Sequence, residues 1–179
     1  MHRVYIFYLY SVDLFNQNTI QNILPFDGEA IYKGVIFSRK ESEAHYKNLF
    51  EEIPWENDQA IVFGKHYITK RKVAWFGDKP YSYKYSGITK QAHIWTPELL
   101  LLKQKIEEIS ATTYNSCLLN LYHTGDEGMA WHSDAEKTLL DNGTIASVTL
   151  GAERKFSFKH KESKQRIDVL LENGSLLLM

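Results

Sequence analysis

The chain has 179 residues, 44% hydrophobic and 24% charged, the ordinary balance of one globular domain. Its net charge of −1 excludes polyanion binding by bulk charge, so a nucleic-acid surface has to be local. The lone cysteine, Cys117, excludes an internal disulfide and a CxxC metal site, and no apolar stretch is long enough to span a bilayer.

The N-terminal run MHRVYIFYLYSV is short, Tyr-rich and without a small-residue cleavage site, and it reads as an opening strand rather than a signal peptide. A strand-like piece follows at 31–36. Ser38 with Glu41 three residues on forms a capping box. The helix it starts has Ala44, Leu49, Phe50 and Ile53 on its apolar face and ends at Pro54. Strand-like pieces return at 60–63, 73–76 and 81–85.

Between Lys65 and Lys90 the chain carries Lys65, Lys70, Arg71, Lys72, Lys79, Lys84 and Lys90 against one acid, Asp78. Tyr67, Trp75, Phe76, Tyr81, Tyr83 and Tyr85 lie among them. Cations hold phosphates and flat rings stack on bases, so this mixture suits a nucleic-acid surface. A solvated hairpin with inward-packed rings would show the same composition.

Thr96 followed by Pro97 starts a second helix with Leu99, Leu102, Ile106 and Ile109 on its buried stripe. From residue 114 the pattern is of strands: Ser116–Tyr122, Gly128–His132, Ile145–Leu150, Lys155–Lys159, Ile167–Leu171 and Ser175–Met179. Turn signals at Gly125-Asp126, Asp141-Asn142-Gly143, Gly151-Ala152 and Glu172-Asn173-Gly174 separate them. The predicted class is α+β, mainly β, with a sandwich or jelly-roll core. Cys117, within the apolar run Cys117-Leu118-Leu119, reads as a buried inert thiol.

His132-Ser133-Asp134 is the most specific chemical feature. Residues i and i+2 of an extended chain point the same way, so an imidazole and a carboxylate can meet one ion. With a second His they would form the two-His-one-carboxylate face of non-haem Fe(II) oxygenases. Alone, H-x-D also fits an exposed polar turn. Asn120 and Tyr122 share one strand face, where an amide and a phenol can hydrogen-bond a carboxylate co-substrate. Plain core packing would fit them too.

Taken together, Asn120-x-Tyr122, Gly125, His132-x-Asp134-x-Glu136, Ile145-Ala146-Ser147, Gly151, Arg154-x-Phe156-x-Phe158 and Gly174-Ser175-Leu176-Leu177 resemble the AlkB family of alkylation-repair dioxygenases. Leu24-Pro25, Ile53-Pro54-Trp55, the run Arg71 to Asp78, Tyr83-x-Tyr85-Ser86-Gly87 and Trp95-x-Pro97 extend the resemblance from about residue 14 onward. It is nearest the eukaryotic-type DNA-repair members and their bacterial relatives.

The resemblance implies a double-stranded β-helix over about 114–179 and a nucleotide-recognition lid over about 54–95, in one domain. It implies His132 and Asp134 as Fe(II) ligands, Asn120 and Tyr122 as 2-oxoglutarate contacts, and Trp75, Tyr83, Tyr85 and Glu136 as substrate contacts. Glu136 would accept from the exocyclic amine of a cationic methylated base. The implied activity is oxidative demethylation of 1-methyladenine or 3-methylcytosine in DNA or RNA, with release of formaldehyde and succinate. The implied enzyme is a monomer; without a targeting segment in the sequence, a bacterial cytoplasm or a nucleus fits.

The family's distal iron His and its 2-oxoglutarate Arg follow the Gly-Ser-Leu-Leu strand, on which the chain ends at Met179, so the ligand set is expected to be incomplete and the roll open. His160, in Lys159-His160-Lys161, does not occupy the distal ligand's place. A non-catalytic nucleic-acid-binding remnant is therefore the alternative reading. An oxygenase acting on a protein or small molecule is a third, which the lid composition disfavours.

Overall fold

The computed structural model describes residues 21–62, 64–85, 88–134, 140 and 142–179. The opening strand expected at the N-terminus and Glu136 lie outside them. Among the described residues the chain forms eleven strands and two helices, a mainly β architecture.

Strand β1 (Ile31–Val35) leads into helix α1 (Arg39–Glu52). Ser38 caps α1 as expected: its hydroxyl accepts from the Glu41 N–H, and the Glu41 carboxylate accepts from the Ser38 N–H at 2.7 Å. Ile53 closes the helix, since the residue before a proline disfavours helical dihedrals. Strands β2 (Glu56–Val62) and β3 (Lys65–Gly77) form one long antiparallel hairpin where shorter pieces were expected. Strands β4 (Ser82–Tyr85) and β5 (Ile88–Gln91) pair with each other, and the two-residue β6 (His93–Ile94) runs parallel to the end of β3.

Helix α2 (Pro97–Ser110) has Thr96 as its N-cap, accepting from the Leu99 N–H at 3.2 Å. Strand β7 (Ser116–Leu121) lies antiparallel to β3, with Val73 opposite Asn120. Strands β8 (Ala146–Thr149), β9 (Arg154–Lys159), β10 (Arg166–Leu171) and β11 (Ser175–Leu178) follow. β11 sits between β1 and β8 with all four residues buried, the burial a central strand requires. β9 and β10 make a two-stranded hairpin.

The expected strand Gly128–His132 does not form; those residues are irregular. Side chains take one carbonyl of the run and the one just before it. Arg154 donates to the Glu127 carbonyl, and the His132 ring donates to that of Ala130.

Two apolar clusters hold the molecule together. The first joins Phe37, Leu49 and Ile53 around α1, Ala74 and Phe76 of β3, and Leu99 and Leu102 of α2. The second joins Ala30, Leu171 and Leu177, with Phe156 and Phe158 packed against them. Cys117 packs on the first, and burial pushes its thiol up to about 12, as an inert thiol requires.

Candidate metal and co-substrate site

After β7 the chain turns through residues 123–126 and runs irregularly to Asp134. Glu127 steadies the turn. Its carboxylate accepts from the His123 N–H at 3.0 Å and contacts the His123 ring at 3.2 Å. The backbone bond is the main reason the Glu127 carboxyl is held below its ordinary range.

His132 and Asp134 meet at the end of this run, with Nε2 and Oδ1 3.5 Å apart. Both side chains are 43% exposed, so a ligand can reach them. The His132 ring donates from Nδ1 to the Ala130 carbonyl at 2.9 Å, because a carbonyl only accepts. In a neutral ring that bond leaves the lone pair on Nε2, the atom facing Asp134. Such outer bonds are what orient a ligating histidine. Donors each about 2.0–2.2 Å from a first-row divalent ion lie no more than about 4.4 Å apart. The pair therefore fits as two ligands of one ion. Among the described residues no third His, Cys, Asp or Glu completes a group with them. His160 lines the same cleft as His132, but its Nε2 pairs with Asp27 at 3.0 Å and its Nδ1 accepts from the Ser163 N–H at 3.0 Å. Both ring nitrogens are committed.

Asn120 is the end of a buried polar chain. The β2–β3 register jumps between Asn57 and Gln59, leaving Asp58 off the ladder. Its carboxylate pairs with Arg71 on one oxygen and Lys90 on the other. Arg71, 7% exposed, donates from Nη1 to Asn120 Oδ1 at 2.6 Å. That acceptor fixes which end of the amide is oxygen and leaves Nδ2 with two donors to place. No described residue accepts from it. Arg71 Nε is likewise buried without a partner among the described residues. The Asn120 amide donors fit a carboxylate co-substrate.

The Tyr122 ring lies under the Arg154 guanidinium at 3.8 Å from its centroid. Arg154 thus bridges Tyr122 and the Glu127 carbonyl, tying β9 to the turn before the metal pair. No hydrogen bond or ion pair among the described residues joins the Asn120 group to the His132 group. Arg71, Asp58, Lys90 and Arg154 were not singled out as site residues in the sequence. Their prior signals were that Arg71 and Lys90 belong to the basic stretch and that Arg71 and Arg154 fall within the motifs that carry the family resemblance.

Trp75 on β3 is half-buried, its ring stacked on Tyr81 with centroids 6.4 Å apart. Tyr83 and Tyr85 lie on β4, opposite Lys90 and Ile88 of β5.

The model of the 2OG-Fe(II) oxygenase superfamily matches residues 28–179. The chain is 34% identical over 149 residues to bovine (Bos taurus) alpha-ketoglutarate-dependent dioxygenase alkB homolog 3, covering 78% of this chain and 52% of that protein. The human (Homo sapiens) homolog 3 is 33% identical over 158 residues, covering 83% and 54%. The mouse (Mus musculus) DNA oxidative demethylase ALKBH2 is 32% identical over 156 residues, covering 81% and 65%. The chain therefore belongs to the 2OG-Fe(II) oxygenase superfamily, as an AlkB-type member. The mainly β fold is consistent with the jelly roll of that family, and the family implies Fe(II) and 2-oxoglutarate. The chain spans about half the length of the homolog 3 relatives. No helix among the described residues is long and apolar enough to cross a membrane.

Proposed function

We propose that this chain carries the base-recognition lid and part of the metal site of an oxidative demethylase for N-methylated bases in DNA or RNA. The substrates are cationic lesions of the 1-methyladenine or 3-methylcytosine type, and the products are formaldehyde and succinate. The observation that carries the reading is the His132–Asp134 pair with its Nε2 lone pair turned inward.

Fe(II) with 2-oxoglutarate and O2 supplies the oxidising chemistry when bound. The chain's own residues bind and orient. His132 and Asp134 offer one neutral nitrogen and one anionic oxygen to the ion. Asn120 offers Nδ2 donors to a co-substrate carboxylate, with Arg71 holding the amide in place. Tyr122 offers its hydroxyl while Arg154 fixes its ring. The hairpins within 54–95 bring cations and aromatic rings to the nucleic acid, and Trp75, Tyr83 and Tyr85 stack on the extruded base or guide its strand. Glu136 accepts from the exocyclic amine and favours the cationic base. The protein acts as a monomer.

The test uses the complete product of the gene and a single strand bearing 3-methylcytosine. Fe(II)- and 2-oxoglutarate-dependent formaldehyde release is expected, with His132→Ala and Asp134→Ala each reducing it by at least about a hundredfold, since losing a ligand costs more than the about 10–100-fold of losing a ligand's outer hydrogen-bond partner. Absence of release from the parent protein, alongside retained strand binding, would instead support a non-catalytic nucleic-acid-binding chain. Glu136→Gln is expected to slow removal of methyl groups from cationic bases more than from neutral ones; equal loss on both would remove that role.

A further inference from the structure

Arg71 on β3 is 7% exposed, so its guanidinium needs a counter-charge held in place beside it. Nη2 pairs with Asp58 Oδ2, and Nη1 donates to Asn120 Oδ1 at 2.6 Å. Nε is buried without a partner among the described residues. Asp58 reaches Arg71 from the break in the β2–β3 register. Its second oxygen, Oδ1, takes the ammonium of Lys90 on β5. Arg71 and Lys90 against Asp58 leave one positive charge in excess next to the Asn120 amide.

The unpartnered Nε shows what Lys90 does. Nε and Nη2 form one edge of the guanidinium, an edge on which a carboxylate binds with both oxygens. Asp58 meets that edge with Oδ2 alone, because Lys90 holds Oδ1. Releasing Oδ1 would let the carboxylate turn onto the whole edge and take Nε as well. The guanidinium would turn with it and draw Nη1 off Asn120. The one-oxygen contact thus keeps Arg71 aimed at the amide.

From this geometry we infer that Asp58 and Lys90 are positioning residues for the co-substrate. They act through Arg71 on the Asn120 amide rather than on 2-oxoglutarate or a phosphate directly. By composition Lys90 belongs to the basic stretch at 65–90, yet its side chain is only 27% exposed and its ammonium is committed to Asp58. The inference deepens the demethylase reading and rests on it for the role of Asn120.

The test measures 2-oxoglutarate binding to the complete gene product by calorimetry, with Mn(II) in place of Fe(II) so that no turnover occurs. Asp58→Asn raises the local positive charge, and Lys90→Met lowers it. A field acting on the co-substrate carboxylates would tighten binding in the first and weaken it in the second. Positioning predicts that both weaken it about tenfold, the scale of one lost hydrogen bond to a charged group. Lys90→Arg, which keeps the charge and its donors, is expected to recover most of the affinity. Opposite shifts, or parental affinity in Lys90→Met, would overturn the inference. Lys90 is partly exposed, so its two variants carry the test if Asp58→Asn does not fold. Binding of an unmethylated oligothymidylate gives a second readout. Lys90→Met is expected to keep the parental salt slope, whereas loss of a phosphate contact lowers it by about 0.7 on a single strand. A slope lowered in that way would also overturn the inference. If the parent protein binds no 2-oxoglutarate, the demethylase reading falls and the positioning role with it; parental binding with unaltered variants removes the positioning role alone.

Discussion

Gly174 stands at φ +78°, and a Cβ there would lie 2.3 Å from Ser42 Oγ and 3.0 Å from the Phe37 carbonyl. Its own carbonyl accepts from the Ile36 N–H at 2.8 Å, so the turn before β11 is stitched to the start of α1. Gly174→Ala therefore combines left-handed strain with a clash against backbone. A loss of at least about 1–3 kcal/mol is expected from the dihedral alone, read as a lowered urea midpoint. Cys117 makes a second test at this scale. Its pKa near 12 means that the folded chain keeps a proton the unfolded chain releases near 9. Stability from this group is complete below about pH 9 and is lost as pH rises toward 12. Cys117→Ala is expected to flatten that alkaline decline; an identical pH profile would show that the thiol titrates freely in the fold.

Elements were largely legible where the signal is local. The Ser38–Glu41 box and the Thr96-Pro97 start are written within four residues, and both caps form as read. The strands β7 through β11 also form where the pattern places them; β10 alternates exposed and less exposed positions and β11 is buried throughout. What could not be read depends on register between distant strands. Arg71 and Asn120 are 49 residues apart, and only the β3–β7 pairing and the break at Asp58 bring their side chains together. The irregular run at 128–132 was missed because its apolar residues resemble a strand, while the bonds that shape it include one from Arg154 of β9 to the Glu127 carbonyl just before it. The Asp58–Arg71 pair ties β2 to β3, Arg71 carries the link on to Asn120 of β7, and both charged side chains are nearly buried. Removing one partner of such a pair strands the other charge, at a cost of about 3–5 kcal/mol. Arg71→Ala is expected to lose that much in equilibrium unfolding. It should also weaken 2-oxoglutarate binding, because the Asn120 amide is then free to turn. A variant with parental stability would show that Lys90 alone satisfies Asp58.

At the scale of the whole molecule, β11 decides whether there is one folding unit or two. It pairs with β1 on one side and β8 on the other, and Leu177 at its centre is 0% exposed within the second apolar cluster. Val148 on the adjoining β8 packs against the first cluster, as do Trp55 and Trp95. A cavity at Leu177 therefore lies in one cluster while two of the four indoles report on the other. Leu177→Ala should cost about 2–5 kcal/mol through lost burial and incomplete collapse of the cavity. If β11 couples the clusters, tryptophan fluorescence and far-ultraviolet circular dichroism should shift together to the same lower denaturant midpoint. A fluorescence transition left at its parental position, with only the dichroism shifted, would mean that the helices and the β3–β7 sheet unfold independently of the strands that carry β11. The coupled outcome has a functional corollary: strain at the β9–β10 hairpin would then be felt through the second cluster at β11 and, by way of β8, at the sheet that positions Asn120.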